Sequence, residues 1–259
     1  MKWSPEAEAA VKKVPFFVRK KVIGRIEKEA AIEGKTVITM TEVEKTRARF
    51  VAGMDSEVKG YQADTCFGQN GCPNRIVMSE NLLQRLEDLF EKEDILGFLR
   101  KSVPGNLKFH HEFRTGISEC PNACSQPQIK DIGIIGASLP MITDIPCTGC
   151  GMCESVCAEN AIQIKAEEET AVIDFQHCVN CGKCIGVCPT GTIAEEKKGF
   201  RILLGGKLGR HPRLASEIPG IFNEEEALAV VKKCIDFYKQ NSTAGKRFAE
   251  IYHDPDFLG

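Results

Sequence analysis

The sequence predicts an α+β fold, a mixed sheet flanked by helices, with a small cysteine-dense module inserted and a small helical domain in front. Three observations lead there. Stretches of helical and of strand-like pattern lie on both sides of a cysteine-dense, internally repeated block at residues 144–196. The first residues read as helical up to Gly34. Hydrophobic residues make up 42% of the 259-residue chain, enough for a core and too many for a disordered chain. The division expected is 1–52 for the N-terminal domain, 53–143 with 197–259 for the main domain, and 144–196 for the insert.

Taken in order, Ser4 caps a first helix with Pro5 at its first position. Pro15 breaks it, and a second helix runs from Phe16 until Gly34 ends it. Lys35–Met40 is β-branched and short, hence a strand. Gly53–Asn74 is rich in Gly, Asp, Gln and Asn and reads as a loop carrying the first two cysteines. From Ser79 to Arg100 one helix is expected, with Leu82, Leu83, Leu86, Leu89 and Phe90 on one face. A strand over Leu107–Ser118 follows, then a turn with Cys120 and Cys124 and a buried strand at Asp131–Ile135. After the insert come a strand at Phe200–Leu204, a Gly/Lys/Arg loop, and a helix from Glu224 to Gln240 begun by Asn223.

A formal net charge of -2 and a pI near 6.3 carry no nucleic-acid signature. Thirteen cysteines would suit a secreted disulfide protein, but Met1-Lys2-Trp3-Ser4-Pro5 leads into a charged amphipathic stretch without an apolar leader core. No segment approaches the roughly 18 uncharged apolar residues of a membrane span. A cytoplasmic, oxygen-poor setting is expected, with thiols acting as metal ligands.

Cys147-x2-Cys150-x2-Cys153-x3-Cys157 recurs as Cys178-x2-Cys181-x2-Cys184-x3-Cys188-Pro189. This is the bacterial two-cluster ferredoxin run, in which the fourth cysteine of each repeat serves the other cluster. Cys147, Cys150, Cys153 and Cys188 are therefore expected to hold one [4Fe–4S] cluster, and Cys178, Cys181, Cys184 and Cys157 the second. Paired C-x2-C units also suit zinc, although duplicated triplets with a trailing Cys-Pro fit clusters far better. Ala158 stands where the first repeat would often carry proline. Cys234 falls on the apolar face of the last long helix, with Val231 and Ile235, and reads as core packing.

Cys66-x5-Cys72 and Cys120-x3-Cys124 do not fit that spacing. The segment Ser118-Glu119-Cys120-Pro121-Asn122-Ala123-Cys124, backed by Asp131-Ile132-Gly133-Ile134-Ile135-Gly136, resembles the signature of the sulfite/nitrite reductase hemoproteins. In that family C-x5-C and C-x3-C bind a third [4Fe–4S] cluster coupled to siroheme. The resemblance implies Cys124 as the bridging ligand to the haem iron and Asn122 beside the macrocycle. A plain cluster site without siroheme is the simpler alternative. Small dissimilatory-like and anaerobic sulfite reductase subunits also carry a ferredoxin insert after this signature. Gly205-Gly206-Lys207-Leu208-Gly209-Arg210-His211-Pro212 resembles their loop after the insert. Residues 1–50 are similar to the small C-terminal domain of the light-independent protochlorophyllide reductase.

Siroheme carries many carboxylates and its substrate is an anion, so cations and backbone donors are needed. Strand alternation would place Lys108, His110, Glu112 and Arg114 on one face. The family usually has basic residues at the positions of Glu112 and Arg114, and Glu112 departs from that pattern. Lys108, His110, Arg114, Lys207 and Arg210 are the candidate catalytic residues. Arg47, Arg49, Arg75, Gly205, Gly206, Lys207, Arg210 and His211 are candidates for holding the cofactor. The implied function is a siroheme oxidoreductase reducing sulfite or nitrite, fed by an electron-donor protein. A single chain supplies one such constellation, so a homo-oligomer or a related partner subunit is expected. The alternative is a three-cluster electron-transfer subunit without catalytic siroheme, and an absorption spectrum separates the two.

Overall fold

A computed structural model describes residues 1–258, and Gly259, the last residue of the expected main domain, lies outside them. The chain divides into two compact units, Met1–Val58 with Gly105–His110, and Lys59–Pro104 with the chain from His111 onward. In the first unit, strand β1 (Lys2–Trp3) leads into helix α1 (Pro5–Lys12), where the Ser4 hydroxyl accepts the Ala7 N–H at 3.2 Å. Helix α2 (Phe16–Ile32) follows, then strand β2 (Val37–Ile38), which pairs in parallel with β1. The expected strand at Lys35–Met40 is this short because Thr39 and Glu42 form a capping box that starts helix α3 (Met40–Glu57). Ala7, Val11, Ile26, Ala30 and Ile38 form this unit's core.

The second unit is built on a five-stranded sheet, in spatial order β3 (Tyr61–Thr65), β4 (Phe113–Ser118), β5 (Ile132–Ile142), β8 (Ile193–Leu204) and β9 (Ser216–Glu217). Strands β3, β4 and β5 run in parallel. The stretch expected to be loop at Gly53–Asn74 thus holds the end of α3 and all of β3. Few of its residues are β-branched, so sheet pairing rather than propensity makes the strand. The strand expected from Leu107 begins only at Phe113, because its partner begins at Tyr61. Gly60, at φ +90, turns the chain there, and Phe109–His111 forms a 3₁₀ turn instead.

Helices α4 (Glu80–Lys92) and α5 (Ile95–Ser102) replace the single helix expected, broken where Asp94 takes a left-handed conformation at φ 45. Leu82, Leu86 and Phe90 are the buried face of α4. Helix α8 (Glu224–Asn241), capped by Asn223 as the sequence predicts, buries Ala227, Val231, Cys234, Ile235 and Tyr238. A short α9 (Phe248–Ile251) follows, and after it a 3₁₀ turn at Asp256–Leu258. Phe113 lies at the centre of the aromatic core, 5.9 Å from Phe90, 5.4 Å from Tyr238 and 5.7 Å from Phe248.

The cysteine-dense stretch lies between β5 and β8 (Ile193–Leu204), which pair antiparallel, and β9 (Ser216–Glu217) closes the sheet. It contains α6 (Met152–Val156), a hairpin of β6 (Ile162–Lys165) and β7 (Thr170–Ile173), and α7 (Lys183–Val187). Its sequence repeat is also a backbone repeat. Gly149, Gly151 and Asn160 in the first half match Asn180, Gly182 and Gly191 in the second, all with positive φ. Among the described residues no helix is long and apolar enough to cross a membrane.

Candidate iron–sulfur centres

Parallel pairing of β3 and β4 brings the separated cysteine loops together. Thr65 sits opposite Ile117, so both strands release their cysteine loops at the same end of the sheet. The Cys66 N–H donates to the Ile117 carbonyl at 3.1 Å. The Cys66 sulfur accepts the amides of Gly68 at 3.4 Å and Glu119 at 3.3 Å. A 3₁₀ turn over Phe67–Asn70, ended by Gly71 at φ 88, returns the chain so that Cys72 comes back beside its start. On the other loop, Ala123 and Gln126 take left-handed conformations at φ 53 and 57 and fold Cys120–Cys124 into a tight turn. Cys120 is buried, Cys66 and Cys72 half-buried, and Cys124 exposed.

Burial pushes the Cys120 thiol up, and the nearby thiolates of Cys72, Cys66 and Cys124 push it further, while the Asn122 amide pulls it down. Four ionised thiols at such range repel one another, so an all-sulfur set fits a multiply charged iron–sulfur core that supplies the missing positive charge. The amides aimed at Cys66 complete the fit. For siroheme, the exposed thiol of Cys124 is the fitting group.

The eight remaining cysteines of the two repeats border two separate cavities. Cys157, Cys178, Cys181 and Cys184 border one cavity of about 310 Å³. Cys147, Cys150, Cys153 and Cys188 border another. Amides of Ala161 and Ile193 donate to Cys157 and Cys188 at 3.3 and 3.4 Å. Burial raises Cys184 to about 11 and also raises Cys153 and Cys178. The first cavity is also lined by Arg75, Cys120 and Asn122, so that set is the inner one, facing the Cys120 loop. A 2.8 Å hydrogen bond from Ser138 N–H of β5 to the Asn180 carbonyl anchors its loop to the sheet.

The nominated cations fare unevenly. The alternating face expected across Lys108, His110, Glu112 and Arg114 does not form, since the strand starts only at Phe113. Lys108 and His110 belong to the first unit and are exposed; Arg114 is half-buried on β4. Glu112 is 3% exposed, and its Oε1 accepts the Lys59 N–H at 2.9 Å. Burial holds its carboxyl above the usual range, against the lowering effect of that amide and of the Arg114 charge. Arg49 pairs with Glu29 and Glu33 inside the first unit, and Arg47 is exposed on α3. Arg75 is committed to Glu80 and Glu119. Gly205 and Gly206 are packed, with no room for a Cβ against Tyr252 and the Gln128 and Lys130 carbonyls. Lys207 closes a small hairpin with Arg213 whose exposed tip carries Arg210 and His211.

Two residues that sequence reasoning passed over are Glu119 and Gly68. A glutamate at the end of an apolar strand, next to a cysteine, was the available signal. Gly68 packs so closely on the Glu119 carboxylate that a Cβ would collide with it. Gly68→Ala is accordingly expected to displace the Cys66 loop and lower the iron bound per chain, measured by metal analysis after anaerobic purification.

Comparison with known proteins adds the following. Residues 61–255 match the family described as "Nitrite and sulphite reductase 4Fe-4S domain". Residues 3–47 match the "Proto-chlorophyllide reductase 57 kD subunit" family. A coenzyme F420-dependent sulfite reductase of Methanocaldococcus jannaschii is 35% identical over 56% of this chain and 21% of its own length. One of the subunits of the anaerobic sulfite reductase of Salmonella typhimurium is 29% identical over 77% of this chain and 54% of its own. The chain thus spans about half or less of these relatives. A solved dissimilatory sulfite reductase chain aligns with a TM-score of 0.48 and 15% identity, over 82% of this chain and 55% of that one.

Proposed function

Since the chain belongs to the nitrite and sulphite reductase 4Fe-4S domain family, we propose that it is an iron–sulfur siroheme oxidoreductase acting on sulfite or nitrite. The observation that carries this is the meeting of Cys66 and Cys72 with Cys120 and Cys124 at one end of the β3–β4 pair. In this reading Cys147, Cys150, Cys153 and Cys188 would hold an outer [4Fe–4S] cluster, Cys157, Cys178, Cys181 and Cys184 an inner one, and Cys66, Cys72, Cys120 and Cys124 a third. When bound, the three would supply one-electron chemistry, with the outer set nearest a donor protein. The shared cavity of the inner set with Cys120 and Asn122 supports that order.

When bound, siroheme supplies an iron at which the oxyanion undergoes multi-electron reduction. Cys124, exposed on its turn, would hold that iron, with Asn122 beside the macrocycle. Arg210 and His211 at the exposed hairpin tip, with Lys207 at its base, are suited to the carboxylates of the macrocycle or to the anion. An exposed ligand also calls for a second surface to exclude water. A second copy or a related subunit would provide it. The inserted two-cluster module (144–196) and the protochlorophyllide-reductase-like domain (1–52) are parts of this same reading.

The openness of Cys124 and the commitment of Arg75 to carboxylates favour one other reading, a three-cluster electron carrier that feeds a separate reductase. The absorption spectrum of anaerobically purified protein distinguishes them. A Soret band with a red isobacteriochlorin band is expected. A broad brown shoulder alone, in protein carrying its full iron and sulfide, would transfer the assignment to the carrier.

A further inference from the structure

We propose that Glu119, paired with Arg75, is the positioning residue of the third cluster, fixing where its four sulfurs meet and setting the potential at which it accepts an electron. The inference rests on reading Cys66, Cys72, Cys120 and Cys124 as that cluster's ligands.

Glu119 is 1% exposed, an uncommon place for a carboxylate unless a partner holds it. It reaches every segment that builds the centre. Its N–H donates to the Cys66 sulfur at 3.3 Å. Its carbonyl accepts the Ile76 N–H at 3.0 Å, fixing the stretch after Cys72. Oε1 accepts from the Ser79 N–H at 3.0 Å and the Ser79 hydroxyl at 2.8 Å, and Arg75 Nε lies 2.8 Å from Oε2. Gly68 of the Cys66 loop rests on the same carboxylate. Cys120 is the next residue in the chain.

A buried ion pair of this kind is a poor stabiliser in itself, because desolvating the charges consumes much of their attraction. Its placement matters more. In surroundings of low polarity, charges beside a redox centre act on the electron it takes up. Losing the Glu119 charge leaves the guanidinium with only the half-exposed Glu80 carboxylate as its counter-charge, so the site becomes one charge more positive, which favours the reduced, more negative cluster and raises its potential. Losing the guanidinium charge has the opposite sign. A purely structural brace would alter occupancy without such opposed shifts. Arg75 also borders the cavity of the inner thiols, so the pair lies on the side from which the electron arrives.

The experiment compares Glu119→Gln, Arg75→Gln and the double variant in the full chain, purified anaerobically. EPR-monitored redox titration and iron analysis are the readouts, with the outer module cluster, at Cys147, Cys150, Cys153 and Cys188, as the internal reference. The expected result is a raised potential of the third cluster in E119Q, a lowered one in R75Q, and a double variant lying between them. The potential of the outer module cluster, at Cys147, Cys150, Cys153 and Cys188, whose cavity Arg75 does not border, stays where it is in the unaltered chain. Glu119→Ala, which removes the Oε contacts, is expected to lose the iron of one cluster only. Unchanged potential and occupancy in both single variants would overturn the proposal, as would shifts of the same sign. If E119Q cannot be purified, R75Q decides alone, since its side chain is 20% exposed; a lowered potential supports the pair and an unmoved one overturns it. An unaltered chain without any third-cluster signal would remove the ligand reading, and the inference with it.

Discussion

On the proposed function, replacing Cys120 with alanine is expected to remove the iron and sulfide of one cluster and to abolish the proposed sulfite- or nitrite-dependent turnover, while the signals of the module persist. Cys120 is the buried member of its set, held between the Asn122 amide and the Glu119 backbone. The remaining eight candidate ligands belong to the two sets of the module, so their clusters keep a full complement of thiols without it. The module should survive because it has a separate small core, in which Ala171, Ile173 and Ile193 pack around Cys153 and Cys184. Cys234→Ala is the control. That thiol is wholly buried on α8, and burial raises it far above its ordinary value, as befits a packing residue. Iron and acid-labile sulfide assays with EPR of the dithionite-reduced protein give the readout. Retention of the full iron content in the Cys120 variant, or an equal loss from the Cys234 variant, would contradict the assignment.

Phe113→Ala should destabilise the second unit by about 3–5 kcal/mol, the usual cost of emptying a buried aromatic site. Phe113 is 1% exposed, and its ring meets rings from α4, α8 and α9 at once. The surrounding side chains belong to separate elements, which limits collapse into the vacated space. Denaturant unfolding of the anaerobic protein measures the loss, as a lower midpoint with an unchanged slope. Phe113 also opens β4, the strand that delivers Cys120, so cluster occupancy should fall together with stability. A loss below about 1 kcal/mol would mean that the aromatic core relaxes far more than close packing allows.

Much of this was legible in the residues. The duplicated cysteine run, the Ser4 and Asn223 caps and the apolar face of α4 follow from spacing and local chemistry, whereas the grouping of Cys66 and Cys72 with Cys120 and Cys124 came from the family resemblance. What escaped has identifiable causes. Helix α3 went unread although Thr39 and Glu42 cap it, since its apolar periodicity is weak and Gly53 suggested a loop. Strand β3 carries the polar sequence Tyr61–Thr65, and only pairing with β4 makes it a strand. Strands β5 and β8 run longer than expected because each supplies the other's hydrogen bonds past the end of its apolar run. The cation assignments were weakest. Whether an arginine faces a cofactor or a neighbouring glutamate is decided by tertiary placement, and Arg75 was given to Glu119 by a fold that its own segment does not encode.

Strands β5 and β8 meet through Ile142 and Ile193, with the Thr143 N–H bonded to the Thr192 carbonyl at 2.8 Å just beyond. The cysteine-dense module therefore leaves and re-enters the sheet through a two-stranded stem whose ends are one strand spacing apart, about 4.8 Å. A tight turn across Ile142 and Ile193 could take its place and leave the parent sheet closed. A segment whose ends lie this close can be inserted or removed at a single point, so the cysteine-dense module can vary independently of the sheet that carries it.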